Sequence, residues 1–227
     1  MATDIFNTTR ILTGDEVGHL LQLNERIFIH KEMLDPWERL CGSALASGIE
    51  LRITSGFRSY DGQLAIWNAK CDGTKPILDI QGHALDVSKL SAKEVVYGIL
   101  RWSALPGLSR HHWGTDIDVY DARALPLDYK VRLVPEEATG VFVKLAEWLK
   151  PNLSTHKFFR PYNTDKNGVG PEWWHLSYGP LAQQYFTSHR KAILVERLER
   201  SEMRHKAIVL KELDAIWERY FVNIDSA

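Results

Sequence analysis

Ser109-Arg110-His111-His112-Trp113-Gly114-Thr115-Asp116-Ile117-Asp118-Val119-Tyr120 and, further along, Glu172-Trp173-Trp174-His175-Leu176-Ser177-Tyr178 are the two stretches on which the reading of this chain turns. In the first, Asp116, Asp118 and Tyr120 alternate with Ile117 and Val119; in the second, Trp173, His175 and Ser177 alternate with Trp174, Leu176 and Tyr178. A period of two marks a half-buried β-strand, because successive side chains point to opposite faces. Two such strands side by side would present Asp118 and His175 to a common point while their other faces build a core. With a histidine from His111-His112, the pair supplies two imidazoles and a carboxylate, a donor set for a divalent metal that keeps one position open. A water in that position has its pKa lowered to about 7. Glu172, three residues before His175, leaves a free carboxylate suited to take the water's proton. The set has the parts of a zinc hydrolase. His112 and Asp116 are neighbouring donors of the same types, so spacing alone leaves the ligand choice open.

Outward from these strands, the pattern alternates helices with short strands. Glu50-Leu51-Arg52-Ile53-Thr54 alternates and stops at Ser55-Gly56, which predicts a strand entering a functional turn. A helix is expected from Asp61 to Ala69, an exposed loop from Cys71 to Gln81, where Asp, Gly, Lys and Pro follow closely, and a further helix from Ser91 with Glu94 toward Trp102. Nearer the N-terminus, Thr13 with Glu16 reads as a capping box, and Asp35-Pro36 before Trp37, Leu40 and Ala44 as a helix start, so the N-terminal third is expected to be largely helical. After Pro180, amphipathic patterns over Ala192–Leu198 and Ile208–Tyr220 predict helices packed on the catalytic core rather than a dimerisation surface. His83 and Asp86 imitate part of the metal motif, but their spacing on an extended segment separates their faces, so they are read as structural or substrate-lining.

Composition bounds the function. The chain has 227 residues, long enough to bury one sizeable core, and is read as one domain over 1–227, with a catalytic core at about 45–180 and a helical extension at about 181–222. With 28 Lys and Arg against 29 Asp and Glu, there is no basic excess of the kind a nucleic-acid partner requires. No stretch is apolar enough for a membrane span. Asp4, Arg10, Asp15, Glu16 and His19 break any apolar leader core, so a cytoplasmic location is expected. Cys41 and Cys71 are expected to be free thiols, and oligomeric state is left open.

The run Ser109 to Asp118 resembles the S-x-H-x-x-G-x-A-x-D signature of the LAS metallopeptidases, with Asp116 standing where a small residue is usual. Glu172-Trp173-Trp174-His175 matches their E-x-W-H element, and Ser55-Gly56-Phe57-Arg58-Ser59, with Gln63, is similar to their S-G-Y-R-S segment. Within that group the chain most resembles the VanY-like, vancomycin-resistance-type D,D-carboxypeptidases and related phage endolysins. The resemblance implies His111, Asp118 and His175 as ligands of one Zn2+ ion and Glu172 as general base. It implies Arg58 as oxyanion stabiliser, Ser55, Gln63 and Ser109 as candidate substrate contacts, and Trp174 as the floor of the site. Asp116 is then a partner behind the ligands or an influence on substrate choice.

Pattern alone gives an α+β fold, and the resemblance implies a small antiparallel sheet carrying the zinc, flanked by helices, with the C-terminal helical extension. The function implied is hydrolysis of peptidoglycan-derived stem peptides, taken first as release of a terminal D-amino acid by a D,D- or L,D-carboxypeptidase. The alternatives are an endolysin-like L-alanyl-D-glutamate endopeptidase and a non-catalytic, hedgehog-like zinc module, the latter disfavoured by the presence of both Glu172 and Arg58. A peptidoglycan substrate sits uneasily with a cytoplasmic location unless the peptides are precursors or recycled fragments, the reading preferred here, or the protein leaves by lysis or another route and acts in the periplasm or at the cell wall.

Overall fold

The computed structural model describes residues 2–226. Helix α1 (Ala2–Thr13) leads to a short antiparallel hairpin, β1 (Leu20–Gln22) and β2 (Phe28–His30), then α2 (Leu34–Ala46), β3 (Leu51–Ser55) and α3 (Tyr60–Cys71). A loop joins α3 to α4 (Ala92–Leu100), which precedes β4 (Asp116–Asp121), α5 (Val143–Asn152), β5 (Phe158–Phe159) and β6 (His175–Tyr178). Four helices close the chain, α6 (Gly179–Ser188), α7 (Lys191–Glu199), α8 (Lys206–Lys211) and α9 (Leu213–Ile216), the last running into a π-helical turn at Trp217–Val222. The architecture is α+β.

The main sheet has the order β3-β4-β6-β5 and is antiparallel throughout. Its register decides the site. Asp118 lies opposite His175, Ile117 opposite Leu176 and Asp116 opposite Ser177. One face therefore carries Asp116, Asp118, His175 and Ser177, and the other carries Ile117, Val119 and Leu176 into a core with Leu40 of α2 and Leu145 and Leu149 of α5. Each such fully buried aliphatic side chain contributes about 1.5–3 kcal/mol of transfer free energy. A second cluster joins Trp67 of α3, Val96 and Ile99 of α4 and Trp113 to Leu194, Leu198, Val209, Ile216 and Phe221 of the C-terminal helices. The apolar faces of those helices are thus packed against the chain's own core.

One N-terminal expectation needs correction. Thr13 ends a helix instead of opening one: Gly14 follows at φ +81°, the Thr13 hydroxyl donates to Asp15, and Glu16 accepts from the Val17 and Gly18 amides in a turn. A side chain at Gly14 would also strike the His112 ring, so both conformation and space demand glycine there. The N-terminal third is largely helical as expected, through α1, α2 and α3, but the β1–β2 hairpin is set among these helices and braces the metal-loop turn through a bond from the His30 amide to the Gly114 carbonyl, 2.7 Å. At Ser91 the capping box forms as expected, with reciprocal bonds between Ser91 and Glu94. Cys41 and Cys71 are free, and burial raises both thiols to about 12.

Candidate metal centre and its cleft

Residues 110–113 form a single 3-10 turn, ended by Gly114 in the left-handed conformation. That turn sets His111 against the strand pair. His111, Asp118 and His175 each offer a ligand atom, all within 4.8 Å of one another, and all three residues are buried. The His111 Nε2 to Asp118 Oδ2 distance is 3.3 Å, and the His175 Nδ1 to Asp118 Oδ1 distance is 3.4 Å.

The residues present fit a divalent ion. His111 Nδ1 donates to the Gly56 carbonyl at 2.8 Å, which leaves the Nε2 lone pair facing Asp118. His175 Nε2 donates to Asp116 Oδ1 at 3.0 Å, which leaves Nδ1 facing Asp118 and Glu172. Each imidazole is thus held by its outer nitrogen, as metal-ligating histidines are. The buried Asp118 Oδ1 has no hydrogen-bond partner, a cost a cation would remove. Three carboxylates, Asp116, Asp118 and Glu172, surround His175; although burial opposes the charge, the hydrogen bond to Asp116 and the adjacent carboxylates of Asp118 and Glu172 raise its pKa well above the usual imidazole range. An anionic nest around two oriented lone pairs makes a candidate cation site. A divalent ion bound there supplies Lewis acidity and lowers the pKa of a water in its open position.

Asp116, the departure from the expected small residue, lies behind the ligands. Besides His175 it accepts from Arg110 Nε at 2.7 Å and from the Thr115 hydroxyl at 2.7 Å, and it is completely buried. Burial works against its charge, yet Arg110 and His175 hold its carboxyl far below the ordinary range. Arg110 is itself anchored by the Ser177 hydroxyl at 2.6 Å and lies over the Trp113 ring. Asp116 therefore orients His175 and neutralises Arg110. Asp116→Asn is expected to lower metal affinity by about 10–100-fold, the usual cost of losing an outer partner. It should also destabilise the fold by about 3–5 kcal/mol, because a buried guanidinium loses its counter-charge. Chelator competition and thermal melting of the metal-free protein measure the two effects.

His112, the other candidate ligand in the pair, is turned away. Its Nδ1 donates to the Arg58 carbonyl at 2.6 Å and its Nε2 accepts from the Gly107 amide at 3.0 Å, and burial keeps it neutral, with a pKa near 3. It ties the Arg58 turn to the metal loop, assisted by a bond from the Arg58 amide to the His111 carbonyl.

Arg58 reaches the same cleft as the ligands and Glu172. Its guanidinium donates to Gln63 Oε1 at 2.8 Å and to Ser55 Oγ at 3.0 Å, and Gln63 in turn donates to the Ala104 carbonyl at 2.7 Å. Burial disfavours its charge, while Asp118 and Glu172 support it. Ser55 and Gln63, expected as substrate contacts, are engaged with Arg58 and do not line the cleft; Gln63 is buried beneath it. Ser109 does line the cleft, as does Trp174. His83 stands away from the metal centre, paired with Asp79 on an exposed loop, and Asp86 caps the turn after it.

The cleft holds about 440 Å³, and its lining includes Leu78 and Gly82 from the loop after α3 and Arg132–Pro135 from the segment after β4. The structure adds lining residues that no motif signalled. Tyr162, largely buried, meets the His175 ring edge-on at 5.0 Å between centroids, and Lys70 and Lys75 come from the end of α3 and the loop after it. These positions carry no local pattern, so nothing short of the fold gathers them.

Residues 26–181 match the VanY family, described as D-alanyl-D-alanine carboxypeptidase. The chain belongs to the VanY family. The matched span contains Arg58, His111, Asp118, Glu172 and His175. Two uncharacterised Haemophilus influenzae proteins are similar to this VanY-family chain. One is 35% identical over 118 residues, covering 50% of this chain and 90% of the relative. The other is 34% identical over 102 residues, covering 43% and 70%. Among solved structures, the fold is shared with the vancomycin resistance D,D-pentapeptidase VanY, a mutant in complex with Zn(II), at a TM-score of 0.52 and 23% identity, over 77% of this chain and 88% of that one. VanYB in complex with D-alanine-D-alanine gives a TM-score of 0.53 at 21% identity over 81% and 89%. The LD-carboxypeptidase LdcB gives 0.53 at 22% identity over 78% and 81%.

Proposed function

We propose that this chain is a zinc-dependent peptidase of peptidoglycan stem peptides, a D,D- or L,D-carboxypeptidase that releases a terminal D-amino acid. The observation that carries the reading is the buried His111–Asp118–His175 cluster with Glu172 and Arg58 on the wall of one cleft. VanY-family membership supports the peptidase class.

The chain's own residues have these tasks in the proposed reaction. Glu172 Oε2 lies 3.3 Å from His175 Nδ1, next to the metal position without belonging to the ligand set. From there its carboxylate takes the proton of the attacking water and later gives it to the leaving amine, a general acid–base role. Arg58, held by Ser55 and Gln63, faces the oxygen of the scissile carbonyl as it becomes anionic. A preorganised donor of this kind costs no reorganisation during the reaction. The same pair of groups argues against a purely binding module, which has no use for a positioned base and an oxyanion donor.

The test is mass spectrometry of a mixture of muropeptide pentapeptides and tetrapeptides incubated with the zinc-loaded protein, with Glu172→Ala as control. Loss of a single terminal alanine is expected, and the peptide that shortens gives the stereochemical preference. Internal fragments would replace this reading with the endopeptidase, and intact peptides would reject it.

A further inference from the structure

With Ser55 and Gln63 engaged beneath Arg58, Ser109 is the one expected substrate contact that lines the cleft, and it carries no charge to match the carboxylate at the end of a substrate. Lys70, in the last turn of α3, lines the same cleft as Arg58, Ser109, Glu172 and the metal ligands. It is half-buried, and its ammonium makes no hydrogen bond or ion pair with any described residue. The acids nearest to it in sequence are paired elsewhere, Asp61 with Arg197 and Asp72 with Arg204. Burial, then Lys75, lower its pKa to about 8, with Arg58 acting in the same sense and Glu172 opposing. A partly desolvated ammonium beside other cations is unfavourable by itself and is stabilised when an anion arrives.

The charge balance of the cleft points the same way. A divalent ion bound there would engage the charges of Asp118 and Glu172, and Arg110 is paired with Asp116, so Arg58, Lys70, Lys75 and Arg132 line the cleft with no ion pair of their own among the described residues, Lys70 standing with Arg58 beside Glu172. Arg58 faces the scissile carbonyl in the reaction proposed above. The remaining cations suit a carboxylate. In a peptide cut at its last bond, the terminal carboxylate carbon sits only about 2.5 Å from the leaving nitrogen, one Cα away. Glu172 serves that nitrogen, and Lys70 lies within the field of Glu172.

We propose that Lys70 receives the free α-carboxylate of the substrate's terminal residue and so restricts the cleft to exopeptidase action. This rests on the peptidase reading above and adds the residue that decides between trimming an end and cutting inside a stem. Lys75, exposed on the rim, adds long-range attraction for the same anion.

The experiment is calorimetric binding of an N-acyl-D-alanyl-D-alanine peptide and its C-terminal amide to zinc-loaded Glu172→Ala protein, which cannot consume them. The free acid is expected to bind at least about 10-fold more tightly than the amide, the worth of a charge-assisted hydrogen bond. Adding Lys70→Met should weaken the acid about 10–100-fold and leave the amide unchanged, so the amide reports that the cleft is still folded. Lys70→Arg should restore most of the preference. It should also extend acid binding to higher pH, since the lysine is lost as a cation above about 8 while arginine is not. Equal binding of acid and amide with Lys70 in place, or equal weakening of both by Lys70→Met, overturns the assignment. Wild-type turnover decides the underlying reading separately: peptide trimmed without acid preference rejects Lys70 alone, whereas neither binding nor turnover rejects both.

Discussion

Replacing Glu172 by Ala is expected to leave one zinc per chain and to lower turnover by about 10²–10⁴-fold, the range that a positioned general acid–base contributes. The expectation follows from where the side chain stands. The candidate ligand cluster of His111, Asp118 and His175 does not include it, and its carboxylate approaches His175 Nδ1 at 3.3 Å from outside that cluster. The backbone that carries it is held by a bond from the Glu172 amide to the Tyr162 carbonyl, 2.8 Å, so truncating the side chain should not move His175. Glu172→Gln should behave alike, since an amide of the same shape cannot accept the proton. Zinc content by atomic spectroscopy and single-turnover rates on the same sample check both halves. Retained activity would remove Glu172 from the chemistry, and lost zinc would make it a ligand.

His175→Ala is expected to lose both metal and turnover. Its loss removes one of three ligand atoms, a larger penalty than the about 10–100-fold that an outer partner costs. It also removes the imidazole that bridges Asp116 and Asp118, leaving two buried carboxylates facing each other across the gap. Like charges without a cation between them disfavour ionisation, so the remaining site should also lose its fit for a metal. Zinc retained at full occupancy after dialysis would overturn the ligand assignment and send attention back to His112. That outcome is opposed by geometry, because both ring nitrogens of His112 already hold backbone groups, the Arg58 carbonyl and the Gly107 amide.

Much of the site was legible because the relevant pattern is local. Strand alternation over Asp116–Tyr120 and His175–Tyr178 puts Asp118 and His175 on faces that antiparallel pairing then joins, and the observed register does so directly. Helix starts were legible where the cap is complete, as at Ser91 and Glu94, and failed where a capping pair meets a glycine at positive φ, as at Thr13, Gly14 and Glu16. There, an Asx-like turn competes successfully with a helix for the same side chains.

Residue types and their two-residue alternation were enough, by themselves, to specify an α+β fold and a set of imidazoles and carboxylates fit for a divalent ion. Only the tertiary structure chose among them. It selects His111 over His112 through the Gly56 carbonyl, far away in the chain, and makes Asp116 the orienter of His175 through a contact between strands. It commits Ser55 and Gln63 to Arg58, and it delivers Lys70 and Tyr162 to a cleft that neither of their own segments announces. Which nitrogen of a ring is free, and which cation lacks a partner, depends on the groups that distant segments bring within hydrogen-bond reach. Those distances belong to the fold, and no window of sequence contains them.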